Sequence, residues 1–139
     1  QLGCVEAYAG GWAILRDLAA AGRDVHTVDD VVLAVQNGDP VATQLVREAG
    51  RTLGATVADA VGLLNPAVIV LAGQLASTGE HLLAGIRERI YSRSLPLATR
   101  DLHIAASELD GDSGVRGLAH GALDRLFEAK HLNQALAVW

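Results

Sequence analysis

The 139-residue chain has no methionine, one cysteine and three prolines, and aromatic residues make up only 4% of it. A single thiol makes no zinc pattern, and taken alone Cys4 reads as a small buried hydrophobe. No stretch reaches the roughly 18 to 20 uninterrupted apolar residues of a membrane helix, so no membrane partner is expected. A secretory leader would need a basic segment near the start, where this chain has Cys4 and Glu6, and a cytoplasmic, reducing setting is expected. Positive charge is scarce as well. Eleven Lys and Arg stand against sixteen Asp and Glu, a net charge of −5, which argues against this segment gripping a phosphate backbone. The one basic cluster, Arg87, Arg89, Arg93 and Arg100, is interrupted by Glu88 and Asp101 and reads as a solvated helix face.

Half of the residues are in the hydrophobic class, and they are mostly Ala, Val and Leu, a mix suited to close-packed helices on a buried sheet. Helical spacing from Val5 to Ala21 predicts a first helix that stops at Gly22. Thr27 with Asp30 forms an acidic capping box for a second helix, Val28 to Gln36. Asp39-Pro40 caps and opens a long helix. Its apolar positions Val41, Leu45, Ala49, Leu53, Val57, Ala60, Val61 and Leu64 run to Asn65-Pro66, where proline forces the preceding residue out of the helical region. Gly50, Gly54 and Gly62 inside that helix cost about 1 kcal/mol each relative to Ala, and close approach of another backbone is the expected compensation. The apolar run Ala67–Ala72 predicts a fully buried parallel strand. Ser77 with Glu80 predicts another capping box, opening a helix that carries Leu82, Leu83, Ile86 and Ile90 and stops near Ser94. A second strand is expected over Leu102–Ser107 and a last helix from about Ser113 to Lys130. Two strands, each followed by a helix, should lie parallel through a right-handed crossover. Buried parallel strands normally have neighbours on both sides, so further strands are expected from sequence upstream of Gln1.

Three segments carry a resemblance. Gly3, Cys4, Glu6 and Tyr8 match the end of Cys-x-Cys-Gly-x-x-Gly-Cys-x-Glu-x-Tyr. Leu64-Asn65-Pro66-Ala67-Val68-Ile69-Val70-Leu71-Ala72-Gly73 resembles Leu-Asn-Pro-x-x-Ile-Val-Leu-Gly-Gly-Gly, and Asp112–Ala119 resembles a Gly-x-x-Gly helix opening with Gly114 and Gly117. In this order and spacing they resemble the ROK group of sugar kinases and sugar-responsive repressors, from Gly3 to about Phe127.

The resemblance implies an α/β chain that is a single partial domain over residues 1–139. It would form part of an actin-like, ribonuclease H-like ATPase fold, helix-rich with two parallel strands and with the upstream strands lying outside it. It implies that Glu6 accepts hydrogen bonds from sugar hydroxyls. Cys4 would be one ligand of a structural zinc, incomplete here because the family's other cysteines and histidine would precede Gln1, so no cofactor is expected in this chain and zinc only in the full-length parent. In a kinase, Gly73 and Gln74 would approach the nucleotide, yet Ala72-Gly73-Gln74 keeps only the central glycine of the family's triplet. The family's phosphate loop and catalytic Asp also precede this region, so no residue here takes the general-base role.

The expected function is therefore the C-terminal part of the sugar-sensing domain of a ROK-type repressor. The alternative is the C-terminal lobe of an ATP-dependent ROK sugar kinase. Expected partners are a sugar or sugar phosphate, DNA only through an N-terminal domain outside this chain, and further copies in a homodimer or homotetramer. Gly114, Gly117 and Gly121 are expected to serve tight helix packing. His26, His81, His103, His120 and His131 show no metal spacing.

Overall fold

The computed structural model describes residues 3–109 and 112–136. Two compact units make up the chain, one ending at Glu108 and the other beginning at Leu109. The first holds helices α1 (Glu6–Ala9), α2 (Gly11–Ala20), α3 (Val28–Gln36), α4 (Pro40–Leu64), α5 (Glu80–Arg93) and α6 (Pro96–Thr99), with strands β1 (Val68–Leu71) and β2 (His103–Ala106). The second holds α7 (Ser113–Phe127) and α8 (Ala129–Leu136).

Local chemistry accounts for several boundaries. The Thr27 hydroxyl accepts from the Asp30 N–H at 3.3 Å, while the Asp30 carboxylate accepts from the N–H groups of Thr27 at 2.8 Å and His26 at 2.9 Å. Orphan donors at the start of α3 are thus satisfied from both sides. Asp39 does the same for α4, accepting from Val41 and Ala42 at 2.8 and 3.0 Å while its other oxygen takes a 2.6 Å bond from Arg23. Asn65 ends α4 in the left-handed region, φ 45°, which Asn tolerates better than most side chains.

Other boundaries differ from expectation. The first helix breaks after one turn because Gly10 turns extended, with φ −75° and ψ 157°. Its N–H still donates to the Glu6 carbonyl at 3.0 Å, and its own carbonyl then starts α2 by accepting from Ala13 and Ile14. No Ser77–Glu80 capping box forms. Ser77 lies in a tight turn, Gln74–Thr78, and Gly79 at φ 66° redirects the chain before α5, leaving Glu80 to pair with Arg87 at 2.6 Å. The last predicted helix is two helices, separated at Glu128, whose ψ of 135° is not helical.

The core of the first unit lies where α4 and α5 pack, with Val46, Ala49, Val61, Leu82, Leu83, Ile86 and Ile90 all buried. Helix α4 is rotated slightly from the predicted stripe. Ala42, Val46, Gly50, Gly54 and Ala58 face inward, while Val41, Leu45, Leu53 and Val57 flank the core and Leu64 is exposed. Small residues win the centre because they let the helix backbones meet. A Cβ on Gly50 would collide with the Leu82 carbonyl, one on Gly54 would lie 2.6 Å from the Ile86 carbonyl, and one on Gly85 would collide with the Arg47 carbonyl. Gly62 has no such neighbour within 4 Å, so the compensation expected there is not found. Along the rim of this contact Glu88 takes bonds from Arg51 at 3.0 Å and Arg47 at 3.4 Å, and Arg51 also reaches Glu48 at 2.8 Å.

The two strands pair in parallel, with Val68 opposite His103 and Leu71 opposite Ala106. Ile69, Leu71, Ile104 and Ala106 face the core. The opposite face is not buried as expected for β1: Val68 and Val70 are 56% and 59% exposed, and His103 and Ala105 are exposed beside them. Arg87 donates to the Ile104 carbonyl at 3.0 Å, on the side of β2 away from β1. The basic cluster is dispersed, since Arg87 serves Glu80 and β2, Arg93 lies 3.6 Å from Asp59 and Arg100 pairs with Asp101. In the second unit, nothing described lies within 4 Å of a Cβ placed on Gly114, Gly117 or Gly121, so the tight packing expected of them is not found.

Candidate functional site

Glu6 sits in the first turn of α1, where a carboxylate is favourable at the positive end of a helix. Its side chain folds back over Gly10. A Cβ at Gly10 would collide with the Glu6 carboxylate and with the Glu6 backbone carbonyl, so glycine at this position leaves room for both. Gly11 follows the same logic toward α3, because a Cβ there would approach Val28 Cγ2 to 2.7 Å. The glycine pair therefore holds Glu6 and the start of α3 close together.

The loop after β1 completes the arrangement. Gly73 has φ 101°, a conformation that favours glycine, and it turns the chain so that Gln74 begins the tight turn before α5. The Gln74 amide lies 3.4 Å from Asp29 Oδ1 in the first turn of α3. Glu6, Gly10, Gly11 and Val28 form one side and Ala72, Gly73, Gln74 and Leu75 the other side of a single cleft of about 350 Å³. Glu6 and the Gly73-Gln74 pair, assigned to sugar and to nucleotide respectively, thus meet in one cavity. Among the described residues, no Lys, Arg or His lines it.

Glu6 also borders a second, smaller cleft of about 200 Å³, shared with Cys4, Ala7 and Trp12. Cys4 is an exposed free thiol rather than a buried one. Among the described residues no three His, Cys, Asp or Glu side chains gather where they could hold a metal ion, and structural zinc needs about four closed ligands. The residues present do not fit a zinc site. Sequence reasoning named Glu6, Gly73 and Gln74 but missed Gly10, Gly11, Val28 and Trp12. The glycine doublet four residues after a carboxylate was the available signal.

A sequence profile described as the ROK family matches residues 1–125. The chain belongs to the ROK family. It is 32% identical over 128 residues to the DNA-binding transcriptional dual regulator NagC of Escherichia coli K12, covering 86% of this chain and 32% of NagC. Among solved structures it resembles a ROK family transcriptional regulator, a homolog of the E. coli MLC protein, at a TM-score of 0.71 and 29% identity, covering 76% of this chain and 29% of that one. It also resembles a ROK glucokinase from Streptomyces griseus, solved with glucose and AMPPNP, at a TM-score of 0.66 and 28% identity, covering 82% and 42%. This ROK chain spans about a third of the length of NagC. Its helix-rich α/β architecture with two parallel strands is part of the actin-like ATPase fold of ROK sugar kinases and regulators. No helix among the described residues is long and apolar enough to cross a membrane.

Proposed function

We propose that this chain is part of the sugar-sensing, effector-binding domain of a ROK-family transcriptional repressor and performs no catalysis by itself. One observation carries the preference over a kinase: in the loop after β1, Ala72 and Gln74 flank Gly73 in the lining of the cleft, and the Gln74 amide lies 3.4 Å from Asp29 Oδ1. Methyl and amide side chains take up room that bare backbone N–H groups would use to crowd a phosphate, whereas neutral hydroxyls can donate to the Glu6 carboxylate across the cleft. The likeness to NagC and to the MLC homolog supports the same reading.

In this reading Glu6 accepts from sugar hydroxyls, and Gln74 closes the far wall through its contact with Asp29. DNA is bound outside these 139 residues, consistent with the net charge of −5, and the full-length protein is a homodimer or homotetramer. The alternative, the C-terminal lobe of a glucokinase-like ROK kinase, draws support from the S. griseus enzyme and would place Gly73 and Gln74 at the nucleotide. Calorimetry of the full-length protein with hexoses, with and without ATP, separates the two. Sugar binding that needs no nucleotide, without sugar-driven ATP hydrolysis, is the expected result. Hydrolysis of ATP stimulated by a hexose would overturn the repressor reading.

A further inference from the structure

The two ends of the parallel strand pair have different surroundings. At the carboxyl end of β1 lies the cleft of Glu6 and Gly73, and the chain enters and leaves the first unit there: Glu6 borders that cleft, and Glu108 follows Ala106, which pairs with Leu71. The other end is about 13 Å away, at roughly 3.3 Å per residue of a four-residue strand. There the Asn65-Pro66 turn leads from α4 toward β1 and lines a small cleft together with Leu97 of α6. Leu63 and Leu64 end α4 just before that turn, and Leu95 and Leu97 bracket the start of α6. All four leucines are at least 76% exposed. Leucines scattered singly over a surface need no explanation, but four gathered at one end of a unit mark an interaction surface.

Charge selects what covers them. Two exposed ion pairs flank the leucines, Arg93 with Asp59 at 3.6 Å and Arg100 with Asp101 at 3.0 Å. Their charges cancel, although the chain as a whole carries −5. Two copies of an acidic chain repel one another over most of their surface and approach most readily where both signs are balanced. A neutral set with both signs complements itself under two-fold rotation, whereas a strongly acidic or basic partner meets no net field here. An apolar centre with a charged rim is also the anatomy of a protein interface. We propose that this end of the first unit, centred on Leu63, Leu64, Leu95 and Leu97, is the two-fold contact between two copies of the chain. This rests on the assembly stated in the reading above and adds the surface that makes it, with the sugar cleft left free at the opposite end.

Sedimentation velocity of the full-length protein tests this, and the wild type should be a dimer or larger. Leu97→Glu and Leu64→Glu each place two like charges in a symmetric contact and should weaken association at least about tenfold, splitting a dimer to monomers or a tetramer to dimers. Leu63→Gln, which removes apolar area without adding charge, should act in the same direction. Leu33→Glu, at a half-exposed leucine on α3, should leave assembly unchanged, and circular dichroism should show the variants folded. Hexose binding by calorimetry should persist in Leu97→Glu. A monomeric wild type, an assembly untouched by all three substitutions at this end, or one split equally by Leu33→Glu overturns the proposal. Hexose binding in the wild-type sample reports separately on whether the sugar reading stands.

Discussion

Replacing Gly85 by Ala tests the account of the α4–α5 contact. In an ordinary helix interior the change stabilises by about 1 kcal/mol through helix propensity, and burying a methyl adds roughly 0.8 kcal/mol. Both gains favour the variant. Against them, the new methyl would collide with the Arg47 carbonyl and lie 3.0 Å from Arg51 N and 3.1 Å from Gly50 C. All three are helix backbone atoms that no rotamer change can move aside. Carbon contacts settle at about 3.5–4.0 Å, so the helices must part by a sizeable fraction of an ångström, and a gap of that size forfeits a quarter to a half of each van der Waals contact nearby. Overpacking of this kind costs typically 1–3 kcal/mol net, which for a chain of this length lowers Tm by about 3–10 °C. Gly62→Ala is the control, because it lies in α4 with nothing within 4 Å of its new Cβ, and it should raise Tm by about 3 °C. Thermal unfolding followed by circular dichroism measures both. A Gly85→Ala protein as stable as wild type would refute the backbone contact.

Removing the capping hydroxyl with Thr27→Ala should cost about 1 kcal/mol, read from the urea midpoint at unchanged m-value. Gly10→Ala would set a methyl against both the Glu6 carboxylate and its backbone carbonyl and should reduce hexose affinity about tenfold, while unaltered binding by calorimetry would show that the site does not depend on the packing of Glu6 against Gly10. The pH dependence follows from three carboxylates held below their ordinary range: Asp30 by the His26 N–H and then by Thr27, Asp39 by the Arg23 guanidinium, and Glu88 by Arg51. Carboxyl groups lowered on folding stabilise above their unfolded pKa of about 4 and cease to do so as pH falls through the lower folded values. Urea midpoints should therefore be level from pH 7 to about 5 and decline below about 4, and a midpoint that rises on acidification contradicts those pairings.

Boundaries set by side-chain chemistry within a few residues were legible in the sequence. The Thr27–Asp30 box, the Asp39-Pro40 start and the Asn65-Pro66 stop are each decided by neighbours along the chain. The break at Gly10 was not, because glycine inside an apolar period reads as a tolerated cost, and the Glu6 carbonyl and carboxylate that crowd this position come together only in the fold. The Ser77–Glu80 pair failed for a related cause: its spacing is right, but Gly79 at positive φ redirects the chain between the two. The inward stripe of α4 was displaced because α5 selects the smallest side chains, not the most apolar ones. At the site, the family pattern named Glu6 and the Gly73 loop, while Val28 and Trp12 carry no motif and are identified only by where the elements meet.

The bond from Arg87 to the Ile104 carbonyl gives the two-stranded sheet a closed side and an open side. The pairing of His103 with the Ala67 carbonyl and of Ser107 with the Leu71 carbonyl directs alternate residues of β2 toward β1, so Ile104 presents its carbonyl outward. A strand arriving there must displace a guanidinium that is also bound to Glu80. Beyond β1 no such guard stands among the described residues. A strand adding to this sheet therefore meets less obstruction beyond β1 than beyond β2, and a charge or proline placed on the exposed Val68 or Val70 would hinder pairing there.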